Sequence, residues 1–151
     1  MDAAELTILV NHDRTLSRTF QGVLAYDEIP NSVSSYPASY IINTDSKNER
    51  GEHWVAVYFE TQAKAEIFDS YGLHPYGQIY LFAKRNASRV FYNKLWLQSP
   101  MSDVCGVYCI YFLYWRAHGR SLGAILNDFH EYYWKRNDSS VIAWGSQLTD
   151  V

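Results

Sequence analysis

The feature that most constrains the fold is the stretch from Val104 to His118, which is apolar on almost every face when it is drawn as a helix. A helix that is hydrophobic all round has to be buried on all sides. Gly119, directly after it, is typical of a helix C-terminus. The sequence therefore predicts a central core helix around which the other elements pack.

Residues 53–59 give the strongest strand signal, because they are rich in β-branched and aromatic side chains. Residues 65–68 follow after a short polar turn, so the two segments predict a β-hairpin. Shorter strand patterns cover residues 40–43 and 90–97. These segments and the core helix indicate an α+β fold, in which a small, mostly antiparallel sheet packs on the central buried helix.

Further helices are predicted at residues 78–89 and 122–134, and the tail after Asn137 fits more than one structure. Residues 98–103 are typical of a turn, and residues 44–51 are typical of an exposed polar loop.

The chain has 151 residues, a length that fits one domain, so we expect residues 1–151 to form one. Its net charge of −3 argues against a dedicated nucleic-acid or anionic-membrane binder. The two cysteines do not form a disulfide framework, and Asp2 and Glu5 stand where a signal peptide would be basic. No apolar run is long enough for a membrane span. We therefore expect a protein of a reducing, intracellular compartment that does not bind membranes.

Cys105 lies where the polar turn enters the core helix, and Ser102 or Asp103 is placed to cap that helix. A thiol at a helix N-terminus feels the positive end of the dipole, which favours the reactive thiolate. Gly106 would let a substrate backbone come close, because it has no Cβ. The alternative is a small buried cysteine, which is common in protein cores.

His53 and Asp69 are the candidate base and acid. If the hairpin turn is centred on Thr61, residues whose numbers sum to 122 face each other, and His53 and Asp69 do so. A carboxylate there would orient the imidazole, as in nucleophilic triads. Otherwise both are ordinary strand-end residues, with His74 as the rival base and Glu66 as the weaker acid.

Gln98 lies in the turn before the core helix, where a side-chain amide can donate to a developing oxyanion beside the N–H of Cys105. A metal site built from Cys105, Cys109 and a histidine is the alternative. One Cys pair without a matching His pair is a weak metal signal, so no metal or other cofactor is expected.

The order of these motifs resembles the adenovirus-type, adenain-like cysteine proteases and, more distantly, the deconjugating proteases of SUMO. Within this group, the sequence looks most like the proteases of Polinton/Maverick elements and allied DNA viruses. The resemblance covers roughly residues 40–130 and rests on His53-Trp54, Phe68-Asp69-Ser70-Tyr71-Gly72, Leu97-Gln98, Asp103-Val104-Cys105-Gly106 and the following Val107-Tyr108-Cys109.

The resemblance implies an adenain-like, papain-like fold and a cysteine endopeptidase that processes capsid precursors of a virus or virus-like element. It implies glycine before the scissile bond, with Trp54 as a wall of the narrow slot, although a core Trp fits equally. Such an enzyme would work in the host nucleus or cytoplasm, or be packaged in the virion. The implied catalytic residues are Cys105, His53, Asp69 and Gln98, and the implied substrate-binding residues are Trp54 and Gly106.

Two departures from the adenovirus pattern bear on activation. The acid is Asp69, where adenovirus enzymes usually carry Glu, and the sequence has no cysteine before Cys105. An activating peptide would therefore not be joined through an upstream disulfide, and the net charge does not favour DNA as a cofactor. The alternatives are a deconjugase for a ubiquitin-like modifier and a non-catalytic binding module, which the intact His, Asp, Gln and Cys argue against.

Overall fold

The computed structural model describes residues 1–45 and 53–149, so the predicted loop at residues 44–51 lies, apart from its first two residues, outside the described part. A 3₁₀ turn covers Tyr26–Glu28. The remaining elements are α1 (Ala3–Val10), α2 (Arg14–Thr19), β1 (Phe20–Leu24), β2 (Ala38–Asn43), β3 (Trp54–Thr61), β4 (Lys64–Phe68), α3 (Gly77–Asn86), β5 (Arg89–Tyr92), α4 (Cys105–Ala117), α5 (Leu122–Leu126) and α6 (Trp134–Thr149).

The five strands form one sheet in the order β1-β2-β3-β4-β5. The two central pairings, β2 with β3 and β3 with β4, are antiparallel, as predicted for the hairpin. The outer pairings, β1 with β2 and β4 with β5, are parallel. The α+β fold class is confirmed, with parallel edges that the sequence did not predict.

The predicted hairpin register is wrong by one two-residue step. Ala56 pairs with Phe68 and Phe59 pairs with Ala65, so the numbers of facing residues sum to 124 rather than 122. The turn lies at residues 62–63, beyond an irregularity in the pairing between Phe59 and Thr61. Because side chains alternate with a period of two, a two-residue step keeps each side chain on its predicted face. His53 and Asp69 therefore remain on one side of the sheet as diagonal neighbours.

The sheet separates two apolar layers, as the alternation along β3 requires. Ala56 and Tyr58 face the larger core, which contains α4, whereas Val55, Val57 and Phe59 face the smaller core under α3. Helix α4 packs on the central strand β3, so its N-terminus is held at the edge where β3 begins.

Helix α4 is the predicted core helix, and its C-terminus is followed by Gly119, whose φ of 94° is the left-handed conformation that glycine favours. The predicted cap was wrong. The N-cap residue is Val104, whose apolar side chain cannot cap the helix, and Ser102 instead accepts two hydrogen bonds from the amide of Gln98. The N–H groups at the start of α4 are thus not taken by a capping side chain.

Three other predicted boundaries were wrong. Helix α3 ends at Asn86, because residues 89–92 pair with β4 as strand β5, which itself ends at Tyr92 rather than at residue 97. The predicted helix at residues 122–134 breaks after Leu126, since the chain turns to place Phe129 in the core. Helix α6 (Trp134–Thr149) includes the tail after Asn137, for which the sequence fits more than one structure. Within the described residues, no helix is long and apolar enough to cross a membrane.

Candidate active site

The structure brings His53, Asp69 and Cys105 together at the edge where β3 begins and β4 ends. The Nε2 atom of His53 lies 2.7 Å from Oδ1 of Asp69. An ionised carboxylate only accepts hydrogen bonds, so Nε2 carries the proton and Nδ1 is left to exchange a proton with the thiol. The imidazole of His53 lies between Asp69 and Cys105, since both residues act on its pKa.

The surroundings of Cys105 favour its thiolate form. Burial raises the pKa of the thiol, but hydrogen bonds from His53 and from the backbone N–H groups of Trp54 and Gly106 outweigh burial and lower the pKa below its ordinary value. The Trp54 N–H lies 3.5 Å from Sγ. The sulfur therefore sits at an uncapped helix start, surrounded by donors.

His53 responds in the opposite direction. Burial by itself lowers the pKa of an imidazole, but the hydrogen bonds to Asp69 and Cys105, with the charges on both, raise the pKa of His53 to about 9 from an ordinary 6.5. A raised imidazole pKa next to a lowered thiol pKa is the condition for a thiolate–imidazolium pair near neutral pH.

Asp69 is held from two directions. Its Oδ1 atom also accepts the Tyr71 N–H at 2.8 Å, which fixes the carboxylate toward His53. The buried Asn93 side chain accepts the Asp69 N–H through Oδ1 at 2.9 Å and donates from Nδ2 to the Asp69 carbonyl at 2.7 Å. Asn93 thus extends the β4–β5 pairing by one residue beyond the end of the sheet.

Gln98 is fully buried beside the same turn. Its Oε1 accepts the Ser70 hydroxyl at 2.5 Å, which leaves the amide nitrogen facing the segment that leads into α4. There, Nε2 donates to the carbonyl of Ser102 at 3.1 Å and to its hydroxyl at 3.2 Å. The orientation of the amide is therefore set by Ser70, and its donors face Ser102 in the segment before Cys105.

Gly106 has a different reason to be glycine from the one the sequence suggested. It is buried, and a Cβ there would come within 2.7 Å of a Leu6 methyl group of α1 and 3.4 Å of the Trp54 ring. Gly106 makes room for these two side chains rather than for an open approach. Trp54 is half-buried, and its indole N–H donates to the carbonyl of Met1 at 3.0 Å.

The rival residues have other roles. Nδ1 of His74 donates to the Pro75 carbonyl at 2.8 Å, and His74 lines a cavity of about 360 Å³ that also adjoins Asp69. Glu66 is paired with Arg116 of α4 at 2.8 Å, which ties the sheet to the core helix. In the described part of the chain, no group of three or more His, Cys, Asp and Glu side chains is arranged to hold a metal ion.

Three residues around the cluster were missed by the sequence analysis. The Tyr71 ring stacks on the His53 ring with centroids 4.6 Å apart, Asn93 holds Asp69, and Ser70 orients Gln98. Ser70 and Tyr71 were part of the quoted motif but were given no role. The signal for Asn93 was available, because asparagine is depleted in strands and it interrupts the apolar segment at residues 90–97.

Comparison with known proteins identifies the family. The profile of the adenovirus endoprotease family matches residues 20–124, which is more than half of the chain. The chain belongs to this family. The expected family is thus confirmed, and a cysteine protease is confirmed at the level of the family.

Individual relatives agree with this assignment. The protease of Bovine adenovirus C serotype 10 is 34% identical over 100 residues, covering 54% of this chain and 51% of the relative. The chain therefore spans about half the length of the curated relative that it matches. A crystal structure of the ASFV pS273R protease superposes with a TM-score of 0.56 at 19% identity, covering 74% of this chain and 42% of that one. Its selenomethionine form gives 0.55 at 19% identity, with 73% and 43% covered. These structures support the fold.

Proposed function

We propose that this chain is a cysteine endopeptidase in which Cys105 attacks a peptide carbonyl. The observation that carries the proposal is the position of His53, which is hydrogen-bonded to Asp69 at 2.7 Å and interacts with Cys105, so that the pKa of the imidazole is raised and the pKa of the thiol is lowered. His53 holds the thiol proton as the imidazolium and gives it to the leaving amine, which completes formation of a thioester. Water, deprotonated by His53, then releases the acid product.

Asp69 keeps His53 in the tautomer with the proton on Nε2 and stabilises the imidazolium. The oxyanion is stabilised by the N–H of Cys105 at the uncapped start of α4 and by the amide of Gln98. Gln98 donates to Ser102 in the absence of substrate. We infer that one of its N–H groups turns from Ser102 to the oxyanion as the tetrahedral intermediate forms.

The proposed substrate is a polypeptide precursor with glycine before the scissile bond, such as the capsid precursors of a virus or virus-like element. Family membership and the half-buried Trp54 beside Cys105 support a narrow slot for glycine. We place its action inside the host cell or in the virion. An activating peptide remains part of the proposal, and it would act without a disulfide upstream of Cys105.

Trapping of the nucleophile tests this function. A peptide vinyl sulfone that ends in glycine should label Cys105 through a stable thioether, as identified by mass spectrometry of tryptic fragments. His53→Ala should abolish labelling, and Cys109→Ala should not. Labelling that ignores His53, or that falls on Cys109, would contradict the assignment.

A second assay separates the endopeptidase from a deconjugase. The wild-type protein is given glycine-containing peptides and, in parallel, a SUMO-type modifier extended at its C-terminus. Cleavage of peptides supports the endopeptidase. Cleavage of the modifier fusion alone would support the deconjugase instead.

A further inference from the structure

An apolar groove starts at the catalytic cluster. It is lined by Tyr71, Leu73, Trp96 and Pro100, all uncharged, and has a volume of about 370 Å³. We call these four residues the aromatic groove. Leu73 is 54% exposed, and the adjacent Met101 is 93% exposed. Exposed apolar residues that cluster around a concave surface mark a binding site more often than single exposed ones do.

The aromatic groove is continuous with the residues that would perform the chemistry. Tyr71 stacks on the His53 ring, and Trp96 packs edge-on against Tyr71 with ring centroids 6.5 Å apart. The indole N–H of Trp96 donates to the backbone carbonyl of Gln98 at 2.8 Å. One end of the groove is therefore formed by the residues that hold the base and the oxyanion donor.

The aromatic groove and Trp54 contact different residues of the cluster. Leu6 and Trp54 pack at Gly106, whereas Tyr71 and Trp96 pack against His53 and Gln98. In the proposed mechanism, the acyl part with its glycine lies by Trp54. We place the amine that His53 protonates on the Tyr71 side, because the Tyr71 ring stacks on the imidazole.

We propose that the aromatic groove binds the substrate on the leaving-group side, where it takes a large apolar or aromatic side chain from one of the first two residues after the scissile bond. This inference rests on the proposed endopeptidase function. Aromatic rings offer a large contact area at small entropic cost, and no charged side chain lines the groove. Differences of one apolar group typically change kcat/KM by about 10-fold or more, so we expect a preference of about 10-fold over glycine or aspartate there.

A peptide library from a digested proteome tests the preference without a known substrate. The wild-type protein cleaves the library, and sequencing the products gives the residues on both sides of each cleaved bond. We expect Phe, Tyr, Leu and Met to be enriched in the first or second position after the bond. Leu73→Ala should reduce that enrichment. Leu81→Ala is the matched control, because Leu81 is 49% exposed on α3 and lies outside the groove.

Two substrates with the same acyl part test whether Leu73 contacts the leaving-group side of the substrate. One carries a peptide leaving group that begins with Phe-Phe, and the other carries the same leaving group with Gly-Gly in those two positions. Leu73→Ala should lower kcat/KM on the Phe-Phe peptide about fivefold more than on the Gly-Gly peptide. An equal loss on both, or no enrichment after the bond in the wild type, would overturn the groove assignment alone. No cleavage of any library peptide, together with no labelling of Cys105, would overturn the endopeptidase and the groove with it.

Discussion

Asn93→Ala is the substitution that tests most directly how the acid of the cluster is held. The change removes the acceptor of the Asp69 N–H and a donor to its carbonyl, two backbone groups of a buried residue. Each buried polar group left without a partner costs about 1–3 kcal/mol. We therefore expect the free energy of unfolding to fall by about 3 kcal/mol, a large share of the ~5–15 kcal/mol of a typical domain.

The same substitution should act on the chemistry, because Asp69, together with Cys105, raises the pKa of His53. If the carboxylate moves, the imidazolium is less stable, and the hydrogen bond from His53 lowers the pKa of Cys105 less. We expect the pH midpoint for alkylation of Cys105 by iodoacetamide to move upward. The turnover rate should fall by about 10–100-fold, since small misplacements of catalytic groups have effects of that size.

Asn86→Ala is the matched control. The Asn86 side chain also hydrogen-bonds backbone groups, but it lies at the end of α3. It accepts the Val33 N–H at 3.1 Å and donates to the carbonyls of Phe82 at 3.0 Å and Asn31 at 3.2 Å. The Asn86→Ala protein should be less stable than the wild type in urea unfolding, and its pH midpoint for alkylation of Cys105 should be unchanged. If Asn93→Ala also keeps that midpoint while its stability falls, Asn93 supports the fold alone and the positioning argument is refuted.

The remaining predictions concern the cluster itself. Gln98→Ala should lower kcat by about 10²–10³ with a smaller change in KM, and unchanged kcat would remove Gln98 from the mechanism. Cys105→Ala should abolish turnover in a folded protein. Cys109→Ala should keep most of the turnover, since burial raises the pKa of the Cys109 thiol and keeps it neutral. Its free energy of unfolding should fall by about 1 kcal/mol. Equal loss in both, with zinc bound, would favour a metal site. Because the pKa of His53 is raised from 6.5 to about 9, its contribution to stability is complete below pH 6.5 and is lost as the pH rises through about 9. Urea unfolding at pH 6 and pH 10 should show this loss, and in His53→Ala it should be smaller.

Much of the fold was predictable because its strongest patterns are local. The all-apolar segment defined α4, and the β-branched segment before Thr61 defined the central strand. The register was not predictable, since the turn lies at residues 62–63 instead of being centred on Thr61, and the irregularity between Phe59 and Thr61 then shifts the pairing back by one residue, which leaves a net offset of two. The proximity of His53 to Asp69 was still predicted correctly, because an offset of two residues keeps both side chains on one face of the sheet.

The supporting residues were not predictable, because their roles depend on contacts between distant segments. Asn93 is 24 residues from Asp69 in sequence, and Gln98 is 28 residues from Ser70. The spacing of apolar residues within a segment indicates its secondary structure. It does not show which distant segment will contact it in the fold. The break of the predicted helix after Leu126 has a similar origin, since it depends on the burial of Phe129 in a core that several elements form.

One turn after β4 links the three functional parts of the site. The Asp69 carboxylate holds the imidazole, the Ser70 hydroxyl orients the amide of Gln98, and the Tyr71 ring forms both a face of the imidazole and a wall of the aromatic groove. Gly72 allows this compactness. Its φ is 68°, and a Cβ there would come within 2.6 Å of the backbone that crosses the turn. In the proposed mechanism, base orientation, oxyanion donor and leaving-group contact are therefore coupled through four consecutive residues, so we expect a shift of this turn to disturb all three together.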